Sequence, residues 1–166
     1  MKKTITVVIA VLFCLGLYGC FNRSLVDPER DSIVEDKVFK HSGITITLTN
    51  EFVEKDSELG FDAYFVSEYC GVVVLKEEFF LKEGMSDLTI EEYVDHVIDN
   101  NGHKNVEPQY KDGLCFYSNR NGSTQVYSYA FKGSDAFYIV QFLCMTSDVP
   151  ILEEMFFQWA QSIEVD

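Results

Sequence analysis

Residues 114–143, LCFYSNRNGSTQVYSYAFKGSDAFYIVQFL, decide the fold. Leu114 to Tyr117 and Thr124 to Phe131 are β-rich and flank Asn119-Arg120-Asn121-Gly122. Asn-Gly between such segments signals a hairpin, because both residues tolerate a positive φ. A second turn at Gly133-Ser134-Asp135 leads into Ala136 to Leu143, and three successive antiparallel strands make a meander. In Thr124–Phe131 one face carries Tyr127, Tyr129 and Phe131, and the other carries Val126, Ser128 and Ala130. In Ala136–Leu143 both faces are apolar, with Phe137, Ile139 and Leu143 on one and Tyr138, Val140 and Phe142 on the other. A sheet apolar on both sides needs a cover on both sides.

Two helical segments supply that cover. Thr89 and Glu92 form a T-x-x-E capping box, which satisfies free amides at a helix start. Ile90, Tyr93, Val94, Val97 and Ile98 then fall on one apolar face, at the spacing of an amphipathic helix, with Gly102 shortly past its end. A second helix is expected from Ser147–Pro150, where proline suits the first turn, and its face is Leu152, Met155, Phe156 and Trp159, continuing to Ile163. Further strands are expected in an opening hairpin over Val38–Leu48, in a pair around Ala63–Leu81, and weakly at Val106–Gln109. Within the first, Ile44, Ile46 and Leu48 alternate with Thr45, Thr47 and Thr49, the period of a half-buried strand. The expected class is α+β, an antiparallel meander with a helix, or helix plus loops, on each face.

Upstream, Lys2 and Lys3 precede an apolar run from Ile5 to Leu17. That run is too short for a hydrocarbon core needing about 20 residues and suits a secretory signal. It ends in Leu17-Tyr18-Gly19-Cys20, which resembles a bacterial lipobox. The resemblance implies a signal peptide over residues 1–19 and a Cys20 that carries diacylglycerol as the first residue of the mature chain. Two acyl chains of the palmitate type, at about 0.8 kcal/mol per buried methylene, would hold the protein on the membrane without a transmembrane helix. Residues 20–37 keep no period and read as a flexible linker reaching about 20–25 Å, and residues 38–166 read as one domain. The expected location is extracytoplasmic, lipid-anchored to the cell membrane.

The formal charge is −14. Without residues 1–19 the chain loses Lys2 and Lys3, leaving 11 basic against 27 acidic residues and a charge of −16. Such a surface repels nucleic acid and anionic headgroups, so no nucleic-acid partner is expected. The charge fits both a solvated surface and weak binding of a cation or basic partner. Past Cys20 the cysteines are Cys70, Cys115 and Cys144, which allow at most one disulfide. All three sit in apolar contexts that suit buried free thiols, and a Cys115–Cys144 bridge requires their strands to be neighbours.

Three segments carry a further resemblance: Gly43-Ile44-Thr45-Ile46-Thr47-Leu48, Leu88-Thr89-Ile90-Glu91-Glu92-Tyr93 and Gln158-Trp159-Ala160-Gln161-Ser162-Ile163. In this order of elements, residues 38–166 resemble the PsbP-like α/β/α sandwich family. The resemblance implies that fold and a binding or assembly role without catalysis, and it brings no functional motif with it.

Residues that could do chemistry are sparse. His41, His96 and His103 lack zinc-ligand spacing and read as surface or cap residues. Asp95 and Asp99 lie one helical turn apart beside Glu91 and Glu92, short of the six to eight oxygens of a strong calcium site. Ser118, Ser128 and Ser134 lack a nucleophile elbow, and the neighbours of Cys115 argue for burial. Tyr117, Tyr127 and Tyr129 form a candidate ligand face, or else pack under a helix. No cofactor and no metal are expected. The expected function is a non-enzymatic binding or assembly role in the cell envelope, with an envelope protein as partner. The alternative is a small-molecule or cation-binding lipoprotein accessory to a transporter, which needs an open groove of tyrosines and carboxylates. A hydrolase would instead need a buried cysteine or serine within about 3.2 Å of a histidine.

Overall fold

The computed structural model describes residues 34–56, 60–103 and 105–166. The expected signal peptide, the lipobox Leu17, Tyr18, Gly19 and Cys20, and most of the expected linker lie outside the described residues. The first strand, β1 (Asp36–His41), starts two residues before the expected domain boundary at Val38. It turns through Ser42 and Gly43, both at positive φ, into β2 (Ile44–Thr49). On β2 the alternation holds, with Ile44, Ile46 and Leu48 buried.

The chain continues through β3 (Val53–Glu54), β4 (Ala63–Val66) and β5 (Cys70–Glu78). At Phe79–Leu81, where sequence suggested more strand, it coils into a short 3₁₀ turn. Helix α1 (Ile90–Asn100) follows, with both arms of the Thr89–Glu92 capping box formed and Tyr93, Val94, Val97 and Ile98 buried.

Next come β6 (Gln109–Lys111), β7 (Leu114–Asn121), β8 (Thr124–Lys132) and β9 (Ala136–Met145). The weak strand expected at Val106–Gln109 sits further on, because Asp112 (φ 47°) and Gly113 (φ 84°) make a tight turn that pairs Lys111 with Leu114. Asp-Gly is a two-residue hairpin signal in its own right. The next turn also shifts by one residue. Asn121 pairs with Thr124, so the loop is Gly122-Ser123, with Gly122 alone in positive φ.

Helix α2 (Val149–Gln161) buries Leu152, Phe156, Phe157 and Ala160 and leaves Met155 and Trp159 half-buried. Ile163 lies past its end, just before β10 (Glu164–Val165).

Among the described residues the strands form two antiparallel sheets. The larger has the order β3-β4-β5-β9-β8-β7-β6, and the smaller, β1-β2-β10, was not anticipated as a separate sheet. Each face of the large sheet has its own core. On one face Val72, Val74, Tyr138, Val140, Phe142, Tyr127 and Tyr129 meet the β1–β2 hairpin and α2. Here Phe142 stacks on Phe156 at 5.2 Å, and Trp159 sets its edge against Phe52 at 5.3 Å. On the other face Phe137, Ile139, Ala130, Cys115 and Tyr117 meet α1, and Tyr93 stacks on Phe137 at 4.1 Å. Each such aromatic pair stabilises by about 0.5–1.5 kcal/mol beyond area burial. The central strands are buried on both sides, which accounts for their unbroken apolar sequence.

Candidate functional site

The tyrosine face does not form. Tyr117 lies opposite Ser128, and Tyr127 and Tyr129 alternate with Ser128 along β8. Directly opposed residues share a face and successive residues do not, so Tyr117 points to the α1 side and the other two to the α2 side. All three are buried. On the α1 side Tyr117 shares its face with Ser128 and Gln141, and Gln141 Nε2 donates to Ser128 Oγ at 3.2 Å. Across the sheet the Tyr127 hydroxyl donates to Glu153 Oε1 at 3.0 Å. Burial pushes the hydroxyl pKa of Tyr117, Tyr127 and Tyr129 upward. The expected ligand row is therefore split between two cores.

A serine–histidine contact does occur, between neighbours in sequence. In the β1–β2 turn His41 Nδ1 lies 2.7 Å from Ser42 Oγ, and His41 Nε2 lies 3.3 Å from Glu54 Oε1. The outline is that of a triad, but the polarity is reversed. Ser42 donates its proton to the Asp62 carbonyl at 2.9 Å, so its oxygen is the acceptor toward His41. A serine nucleophile must instead give its proton to the imidazole. His41 is exposed, and adjacency in a turn rather than a cleft brings it to Ser42. The arrangement ties the hairpin to β3 and to the Asp62 backbone.

The remaining candidates do not converge. His96, Glu91, Asp95 and Asp99 lie on the exposed side of α1. His103 sits beside the Tyr117 ring at 6.1 Å, and partial burial lowers its pKa. Among the described residues no three histidine, cysteine or acidic side chains gather as a metal-binding group. Cys70, Cys115 and Cys144 are buried free thiols, and burial raises the pKa of each. Cys115 and Cys144 are not neighbours, since β8 separates β7 from β9 and the two residues belong to opposite cores. The bridge considered between them is excluded by the fold. Among the described residues no helix is long and apolar enough to cross a membrane.

This is an α+β sandwich whose large antiparallel sheet is covered by a helix on each face, with a small second sheet beside α2. No protein-family model and no curated protein matches the chain. Among solved structures it is similar to the solution structure of cyanobacterial PsbP (CyanoP) from Synechocystis sp. PCC 6803. The TM-score is 0.55 at 14% identity, over 86% of this chain and 99% of that one. The fold is PsbP-like, and at that identity the likeness carries the fold alone.

Proposed function

We propose that the chain is a lipid-anchored extracytoplasmic lipoprotein whose PsbP-like domain binds or helps assemble another component of the cell envelope, without catalysis. The observation that carries the reading is Leu17-Tyr18-Gly19-Cys20 behind Lys2, Lys3 and a short apolar run. Cys20 would be the attachment point for diacylglycerol, because its thiolate is the nucleophile in that segment able to take the glyceride. The acidic surface supports a role facing solvent rather than lying flat on anionic headgroups. Within the domain the conspicuous tyrosines and cysteines are used in packing. The transporter-accessory alternative asks for an open groove of tyrosines, and Tyr117, Tyr127 and Tyr129 lie in the cores.

The anchor is tested by Cys20→Ser, with membrane fractionation and metabolic labelling by a tagged fatty acid. Loss of label together with release from the membrane is expected. A variant that stays membrane-bound at the wild-type mass overturns the reading. In-cell cross-linking of the wild-type protein then tests the binding role, which predicts a discrete cross-linked envelope protein.

A further inference from the structure

Cys70 opens β5 and Cys144 is the next-to-last residue of β9, and the two stand directly opposite each other in the antiparallel ladder. The type of pairing follows from the neighbouring strand. The Cys70 carbonyl accepts the Ser67 N–H at 2.9 Å, and the Val74 carbonyl accepts the Asp62 N–H at 2.9 Å. Residues 70, 72 and 74 thus turn their peptide groups toward β4, leaving residues 71, 73 and 75 to bond with β9. Cys70–Cys144 is therefore a non-hydrogen-bonded pair, the kind in which opposing Cα atoms come within about 4.5 Å and side chains lie closest. Disulfides span Cα separations of about 4.4–6.8 Å. Both side chains also point into the same core, under α2.

We propose that Cys70 and Cys144 are a disulfide site, joined when the chain folds in the presence of a thiol oxidant that carries a disulfide of its own. The Cys70 thiolate attacks one sulfur of the oxidant, RSSR, and releases RS⁻. The Cys144 thiolate then attacks Cys70 Sγ in the mixed disulfide, forming the Cys70–Cys144 bond and releasing the second RS⁻. Two protons leave the protein with the two thiols formed, and two electrons pass to the oxidant. The position favours closure: the pair lies at the end of the β5–β9 ladder beside the Ser67–Cys70 turn, where the strands are free to adjust. Cys115, in the other core behind α1, stays a thiol.

Timing follows from burial. Both thiols are 1% exposed, and desolvation pushes each pKa up to about 12. Thiolate exchange therefore belongs to the folding chain, before α2 closes over the sheet. Once formed, the bridge is shielded from reductants. The inference rests on strand register alone and holds whether or not Cys20 is lipidated.

The test is to unfold and reduce the full chain, refold it with oxidised and reduced glutathione, block free thiols with N-ethylmaleimide, and map the peptides. The expected map links Cys70 to Cys144 and places maleimide on Cys115. Trp159 fluorescence should match that of the reduced folded chain, and the urea midpoint should lie above it. Maleimide on both Cys70 and Cys144, a link from either to another cysteine, or a bridged chain without the native Trp159 signal would each overturn the proposal.

Discussion

The Ser162 hydroxyl oxygen accepts the backbone N–H of Thr47 at 3.0 Å. It also lies 3.2 Å from the Thr47 carbonyl and 2.7 Å from the Trp159 carbonyl, one of which takes its proton. One side chain thus ends α2 and occupies a place in the β2 ladder that a strand residue would otherwise fill. From there Glu164 and Val165 pair with Thr45 and Ile44, creating the small sheet. Ser162→Ala keeps the helix but strands the half-buried Thr47 amide, and an unmade bond of this kind costs about 1–3 kcal/mol. Urea denaturation should show that loss, with the β10 amides exchanging faster than those of β9. A variant with wild-type stability would remove Ser162 from this role.

Gly43 makes a second prediction. Its φ of +86° is one that side chains seldom adopt, and a Cβ there would run into the Tyr138 hydroxyl and approach Asp166 Oδ2 at 3.4 Å. Its carbonyl also accepts the Asp166 N–H at 3.0 Å, holding the C-terminus to the β1–β2 turn. Gly43→Ala should cost at least the 1–2 kcal/mol of a left-handed residue, with the clash added. Gly113 has a similar φ but nothing within 4 Å of a Cβ, so Gly113→Ala should pay the backbone term alone. Thermal unfolding of the two variants separates strain from collision; equal losses would show that the Tyr138 contact carries no energy.

At the start of α1, Glu92 Oε2 accepts the Thr89 N–H at 2.8 Å, and Thr89 Oγ1 accepts the Glu92 N–H at 3.2 Å. Thr89→Ala should destabilise by about 1 kcal/mol. The bond from the Thr89 backbone holds the Glu92 carboxyl pKa below its ordinary value. A depressed carboxyl pKa contributes stability above the unfolded value, near 4.3, and loses it as the pH falls through the folded one. The stability gap between wild type and Glu92→Gln should therefore be open at neutral pH and narrow in acid. A gap that does not change with pH would contradict this assignment.

How much was legible depended on the range of the signal. The α1 cap and the Ile44–Leu48 alternation are local patterns, and both stand as read. The separation of Tyr117 from Tyr127 and Tyr129 was also available in principle. A two-residue loop opposes an odd-numbered residue to an even-numbered one, so no such hairpin places Tyr117 beside Tyr127 on one face. The misplaced β6 had its own marker in Asp112-Gly113. The small sheet was not legible, because β10 is two residues long and depends on Ser162 meeting a strand that lies 115 positions earlier in the chain. The reversed Ser42–His41 polarity was equally hidden, since it is set by the Asp62 carbonyl from another strand.

Buried tyrosines set the behaviour in alkali. Desolvation raises the hydroxyl pKa of Tyr93, Tyr117, Tyr127 and Tyr129, and the carboxylates Glu77 and Glu153 add to the effect at Tyr93 and at Tyr127. In the unfolded chain the same groups ionise near pH ~10. A raised folded pKa means that the native state holds its protons longer, so the stabilisation is complete below ~10 and is lost as the pH climbs above that value. The chain should therefore unfold cooperatively in strong alkali, with these four phenols ionising together as it opens. Near-UV tyrosinate absorbance, followed beside far-UV circular dichroism, should show a tyrosinate step that coincides with loss of structure. Tyr127→Phe removes one raised group along with its bond to Glu153, and should move the unfolding step to higher pH relative to the variant's own neutral stability. If all the tyrosines titrate in one wave near ~10 while the far-UV signal stays native, the burial of these four side chains is wrong.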